Sequence, residues 1–240
     1  MPDPKRSKSP SAESDTASAL KRLNTAYRNW RESLKLDGKS GRISDDEQSR
    51  QILVCFNRFG KEQNENVDRA NRLILAVDRS KSLLESALSW DDASVGSKGN
   101  TTDQDRGRQW RLVIAWCGLE ELVNSIMEDR RWGAIDTFLR NCDLDPMPEF
   151  EPPRSSRKLT KWREDSDLDI LDFLSPNKQG REILRRWLVV GKSLNSRTDI
   201  LTLAQNFRHA TAHGALSATK LREWGMRDAF DRLIVEIGVV

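Results

Sequence analysis

Between Ser11 and Asp145 the chain carries no proline; all eight lie at positions 2, 4, 10, 146, 148, 152, 153 and 176. Proline removes a backbone donor and clashes with the preceding helical turn, so its absence leaves this long stretch free to be helical. The apolar pattern uses that freedom. Leu20, Leu23, Tyr27, Trp30 and Leu34 recur at spacings of three and four, which predicts one amphipathic helix from Asp15 or Thr16 until Gly38 and Gly41. Ser44 and Glu47 read as a capping box for a second helix with Ile52, Leu53, Phe56 and Phe59 inside, broken near Gly60. A long helix follows through Val67, Ala70, Ile74, Val77, Leu84 and Leu88. The next, over 103–127, is expected to bury Trp110, Val113, Ile114, Cys117, Leu122 and Ile126.

Residues 1–15 are Pro-, Ser- and Lys-rich and are expected to be a disordered tail. Residues 91–104 read as a loop. Trp132, Ile135, Phe138, Leu139 and Cys142 predict a further helix. Residues 143–166 hold four prolines and a basic cluster of Arg154, Arg157, Lys158, Lys161 and Arg163, read as a linker or surface excursion. A short helix around Leu168, Ile170, Leu171, Phe173 and Leu174 precedes Ser175-Pro176, which reads as an N-cap and first turn. Thr198 is expected to cap a helix with Ile200, Leu203, Ala204 and Phe207 inside, ending at Gly214. Ser217 is expected to cap the last helix, with Leu221, Trp224, Phe230, Leu233, Ile234 and Ile237 inward. No segment alternates with period two for long enough to argue a sheet, so the expected class is all-α.

Composition narrows the function. Forty basic and 37 acidic side chains leave a formal net charge of +3, so nucleic-acid binding must rest on local patches. Cys55, Cys117 and Cys142 are an odd set without metal-ligand spacing; Cys55 and Cys117 sit among apolar neighbours and read as buried thiols. No apolar run approaches the roughly 18 residues of a membrane span, and the N-terminus lacks a signal peptide's apolar core. A cytoplasmic protein with no membrane contact is expected. No glycine-rich phosphate loop or dinucleotide fingerprint is present, and no cofactor is expected.

Both histidines, His209 and His213, fall within about one helical turn, directly after Arg208. Imidazole exchanges protons near neutral pH, and guanidinium is a permanent two-pronged clamp for phosphate. Together they suit metal-free cleavage of a phosphodiester, in which a base takes a ribose 2′-hydroxyl proton and a cation holds the developing charge. The stretch Arg208-His209-Ala210-Thr211-Ala212-His213-Gly214 resembles the signature of the HEPN domains (higher eukaryotes and prokaryotes nucleotide-binding). Arg208 matches the motif arginine, His209 its polar follower and His213 the motif histidine, with four residues between. Residues 110–122 also resemble an earlier HEPN helix, with Glu120 as the matching acid.

The resemblance covers about 105–240. It implies a HEPN-type helical bundle with residues 16–92 as an N-terminal helical extension. It further implies a homodimer and a metal-independent endoribonuclease of the kind found in toxin–antitoxin or phage-defence systems, with RNA as substrate and an antitoxin or other protein as possible partner. Arg208, His213 and His209 are the catalytic residues so implied. On an ideal helix Arg208 and His213 lie about 140° apart around the axis and about 7.5 Å along it, so one copy makes a poor complete site. A second copy across a two-fold axis could supply the missing groups.

Plainer readings stand beside this. His213 before Gly214 suits a helix C-terminus, favoured there when charged by the helix dipole. Arg208 can be an ion-pair partner, and Glu120 a surface or capping acid. His209 and His213 could be half of a metal site that Cys or carboxylates would have to complete. The tryptophans fall on helix stripes, where core is commoner than nucleobase platform. The alternative function is a non-catalytic helical adaptor binding RNA or a partner protein.

Overall fold

The computed structural model describes residues 12–34, 36, 41–43, 45–57, 67–90, 101–128, 133–142, 144, 149–153, 157–164 and 170–240. Gly38, Ser44, Phe59, Gly60, Trp132, Arg154 and Leu168, singled out above, lie outside them, as do the side chains of Cys55, Arg157, Arg163 and Phe173. Among the described residues the chain is an all-α bundle, and no helix is long and apolar enough to cross a membrane.

Helix α1 (Ala12–Ser33) starts before Asp15. It lies on α3 (Val67–Ser89), where Tyr27 Oη donates to Asp78 at 2.8 Å. Helix α2 (Asp46–Asn57) is capped by Asp45, whose carboxylate accepts from the Glu47 and Gln48 amides. That satisfies donors a helix start leaves orphaned. Asn71 then pins the approach to α2 by exchanging two 3.0 Å hydrogen bonds with the Ile43 backbone.

The axis of the bundle is α4 (Thr101–Met127), which packs against α3, α9, α10 and α11. Its inward face differs from the expected one. Leu112, Ala115, Trp116, Leu119, Val123 and Ile126 are buried. Val113, Ile114 and Cys117 are only half-buried, and Trp110 is 52% exposed. Apolar residues nearly encircle this helix, so period alone could not choose the side; the neighbouring helices choose it.

Helix α5 (Ala134–Asn141) follows. Beyond it, among the described residues, Phe150 is 1% exposed and pairs with Leu194 as an isolated antiparallel bridge. Helix α6 (Arg157–Glu164) buries Leu159 and stacks Trp162 on Trp224 at 4.8 Å. Helix α7 (Ile170–Leu174) leads to α8 (Lys178–Leu184), which runs on into a π-helical turn over Arg185–Val189. The cap of α8 is Asn177, which accepts from Gly180 N at 2.6 Å, rather than Ser175; Ser175 instead donates to the Asn177 carbonyl. Two residues capable of capping lie either side of Pro176, and the chain uses the later one.

Helix α9 (Arg197–Ala212) has Ser196 rather than Thr198 at its N-cap, without a side-chain capping bond. The expected last helix is two: α10 (Ala218–Glu223), capped by Ser217 as anticipated, and α11 (Arg227–Val239), separated by a turn at Trp224–Gly225. Ala19, Leu34 and Leu88 from the N-terminal helices share one hydrophobic core with Trp116, Phe207 and Phe230. Each such large side chain contributes about 1.5–3 kcal/mol when fully buried.

Candidate functional site

Helix α9 is deeply seated. Every residue from Ile200 to Phe207 is buried, including Asn206 at 0% exposure. The Asn206 amide lies so close to Gly180 on α8 that a Cβ there would stand 2.6 Å from its Oδ1, so only glycine permits this approach. Beyond Phe207 only Ala210 of the helix stays buried. Arg208 and His209 are half-buried, and Ala212, His213 and Gly214 are exposed. The helix thus carries the motif from the core out to solvent.

The end of α9 has a local cause. Gly214 adopts φ 71°, a left-handed conformation that glycine takes without steric cost. Its amide donates to the Thr211 carbonyl at 3.1 Å, and the Ala215 amide to the Ala210 carbonyl at 2.8 Å. This pair of bonds is a Schellman closure, as Gly214 at the C′ position predicts. His213 is therefore the C-cap, and its ring leaves the helix where the backbone turns.

The structure brings two pairs together. The His209 and His213 rings lie 4.3 Å apart between centroids, inclined at 50°. Arg208 Nη2 donates to Glu120 Oε2 at 3.2 Å, an ion pair linking α9 to α4 across 88 residues of sequence. Arg208 and Glu120 side chains are 30% and 32% exposed, so the pair keeps contact with water. Helices α4 and α9 run antiparallel, since Gln109 Nε2 also donates to the Leu216 carbonyl at 2.7 Å. Trp110, next to Gln109, begins the half-exposed stripe Trp110, Val113, Ile114 and Cys117 on the outward side of α4. Cys117, expected to be a buried thiol, is half-buried on that stripe.

Burial, then the neighbouring His213 and Arg208, lower the pKa of His209 from the ordinary 6.5. A depressed folded-state pKa means that the unfolded chain takes up the proton first. The stabilising contribution of neutral His209 is therefore complete above pH 6.5 and is lost as pH falls through the folded pKa. In a histidine NMR titration the His209 ring should show its midpoint below 6.5. A midpoint at or above that value would show that the ring is not held as described.

Two charged groupings lie apart from the residues singled out in the sequence. Asp105, 0% exposed, receives Arg227 Nε and Nη2 at 2.6 and 2.9 Å, with Arg108 and Arg222 each at 3.8 Å. Arg108 and Arg111 continue to Asp231 at 3.0 and 3.3 Å. The second grouping is a run of arginines on α3: Arg69, Arg72 and Arg79. At about 100° per residue these three fall within an arc of about 80°, a signal available in the sequence. Among the described residues no three His, Cys, Asp or Glu side chains converge in a way that could hold a metal ion. Comparison with family models, with curated proteins and with solved structures gave no match to the chain.

Proposed function

We propose that this chain is a metal-independent endoribonuclease of HEPN type, working as a homodimer on RNA in the cytoplasm, in a toxin–antitoxin or phage-defence setting. The observation that carries the reading is the solvent-facing end of α9, where the His209 and His213 ring centroids stand 4.3 Å apart, one and five residues after Arg208. In this reading Arg208 binds the scissile phosphate and holds the charge that develops on its oxygens. His213 takes the proton of the ribose 2′-hydroxyl, the 2′ oxygen attacks phosphorus, and the bond from phosphorus to the 5′ oxygen breaks. The leaving 5′ oxygen takes a proton from the imidazolium of the second copy's His213. His209, biased toward its neutral form, orients the phosphate or the partner histidine. The products carry a 2′,3′-cyclic phosphate and a 5′-hydroxyl. Glu120 holds Arg208 in place until a phosphate competes for it.

The half-exposed apolar stripe of Trp110, Val113, Ile114 and Cys117 supports the dimer, because it lies on α4 beside α9 and would be covered by a second copy. Light scattering should give twice the 27.5 kDa of the chain. A strict monomer that still cuts RNA would sink the composite site. The reaction itself is tested by mapping ends after incubation with a mixed RNA pool in EDTA. Cyclic phosphate ends on RNA and no cutting of DNA are expected; 3′-hydroxyl ends would contradict the chemistry.

One observation favours the adaptor reading. Arg208 already has a carboxylate partner in Glu120, so its charge also has a purely structural use. An adaptor would bind RNA or a partner protein and leave RNA whole.

A further inference from the structure

A groove of about 670 Å³ lies between α3 and α4. Arg69, Arg72 and Arg79 line it from α3, and Glu121, Asn124 and Glu128 from α4. We propose that this groove holds consecutive backbone phosphates of the RNA strand whose scissile bond lies at Arg208 and His213. The proposal rests on the nuclease reading for the identity of its ligand, and it assigns a role to α3, which lies outside the HEPN resemblance.

Three guanidinium groups face two carboxylates, so the groove keeps a cationic excess while its acids are in place. Those acids sit where phosphates would. Glu121 reaches Arg79 at 3.5 Å across the groove rim. Glu128, at the end of α4, pairs with Arg69 from a backbone in the left-handed region, φ 48°. Arg69 is 6% exposed, and its burial together with nearby Arg72 lowers its pKa. Arg69 also donates to the Ile126 carbonyl at 3.5 Å, so the exposed Arg72 and Arg79 are the groups that meet a phosphate. Asn124 and Ser125 add neutral polar groups to the lining, as a backbone-tracking groove needs.

Position ties the groove to α9. Glu120 and Glu121 are neighbours on α4, one turned to Arg208 on α9 and the other to Arg79 on α3. The two arginines therefore flank one ridge of α4. From Arg72 to Arg79 the helix rises about 10 Å. A stacked strand rises about 3.4 Å per nucleotide, so several phosphates fit along it. Guanidinium contacts to phosphate carry no sequence information, so the groove would set register and affinity and leave base choice to the α9 end.

The test measures binding of a fluorescein-labelled, mixed-sequence single-stranded RNA to the full chain bearing His213→Ala, which silences cutting. Arg72 and Arg79 are exposed, so Arg72→Ala/Arg79→Ala should keep the parent's melting temperature. It should weaken binding about tenfold or more and make the slope of log K against log salt shallower by about 1.4, the value for two lost contacts to a single strand. Glu121→Gln frees Arg79 and should tighten binding, a gain that misfolding cannot imitate. Unchanged affinity and salt slope in the double variant would overturn the proposal. So would a parent that binds no RNA, or one from which oligoglutamate of equal charge displaces RNA with equal potency. If wild type fails to cut RNA in EDTA yet these binding shifts appear, the nuclease reading falls and the groove stands. If wild type cuts and the shifts are missing, the reverse holds.

Discussion

Asp105→Ala is expected to destabilise the fold by about 3–5 kcal/mol, the cost of removing one partner from a buried ion pair. Asp105 is 0% exposed and takes both prongs of Arg227, with Arg108 and Arg222 at its edge. Removing the carboxylate leaves guanidinium groups packed together without their common anion. The pKa of Arg227 is raised chiefly by its hydrogen bond to Asp105, despite the burial that opposes it. At about 2–4 °C per kcal/mol for a chain of roughly this size, the melting temperature should fall by about 6–20 °C. Thermal denaturation followed by circular dichroism checks it. A fall of about one degree would show that water already serves these arginines.

The contrast with Glu120 separates structure from function. Its pair with Arg208 is about one-third exposed on both sides. Half-wet pairs of this kind contribute only about 0–1 kcal/mol. Glu120→Gln should therefore leave the melting temperature within a few degrees while changing how Arg208 is presented. The molecule thus uses a dry carboxylate to lock α4 to α11 and a wet one to hold an arginine that remains accessible.

The second large effect is expected on the proposed RNA cleavage. His213→Ala should lower the cleavage rate by about 10²–10⁴-fold, the usual contribution of a positioned acid or base. The loss should come without loss of helix, because His213 is the exposed C-cap and α9 ends through Gly214 and the backbone bonds of Ala210 and Thr211. Arg208→Lys should also cut poorly, since an ammonium cannot reproduce a two-pronged hold on phosphate.

What the sequence made legible is local. Proline placement and the three-and-four spacing of apolar residues announce α1, α3, α4 and α9, because helix formation depends on neighbours within a turn. The closure of α9 follows from one glycine, and the Ser217 cap from one hydroxyl. The face α4 buries was not legible, because Val113, Ile114 and Cys117 are as apolar as Leu112, Ala115 and Trp116, and only the packing of α3, α9 and α11 separates them. The break between α10 and α11 lies where the apolar pattern changes face: Phe230 stands six residues after Trp224, about 240° further round a continuous helix, and Gly225 at φ 69° makes the turn between them.

The site divides the same way. His209 and His213, one turn apart in sequence, meet in space, while Arg208 beside His209 turns to Glu120. Arg208 with Glu120, the Asp105 cluster and the α3–α4 groove join residues tens of positions apart or more. Such pairings are fixed by tertiary packing. The spacing of Arg69, Arg72 and Arg79 puts them on one side of α3, and only the packing of α4 sets Glu121 and Glu128 opposite them.

The proposed function stands on cleavage of RNA at the end of α9. The most direct measurement incubates purified wild type and His213→Ala, matched for helix content, with a mixed RNA pool in EDTA and compares initial rates. Cutting by wild type and a loss of about 10²–10⁴-fold in the variant are expected. No cleavage by wild type, or equal rates for the two proteins, would contradict the proposed function and leave the adaptor.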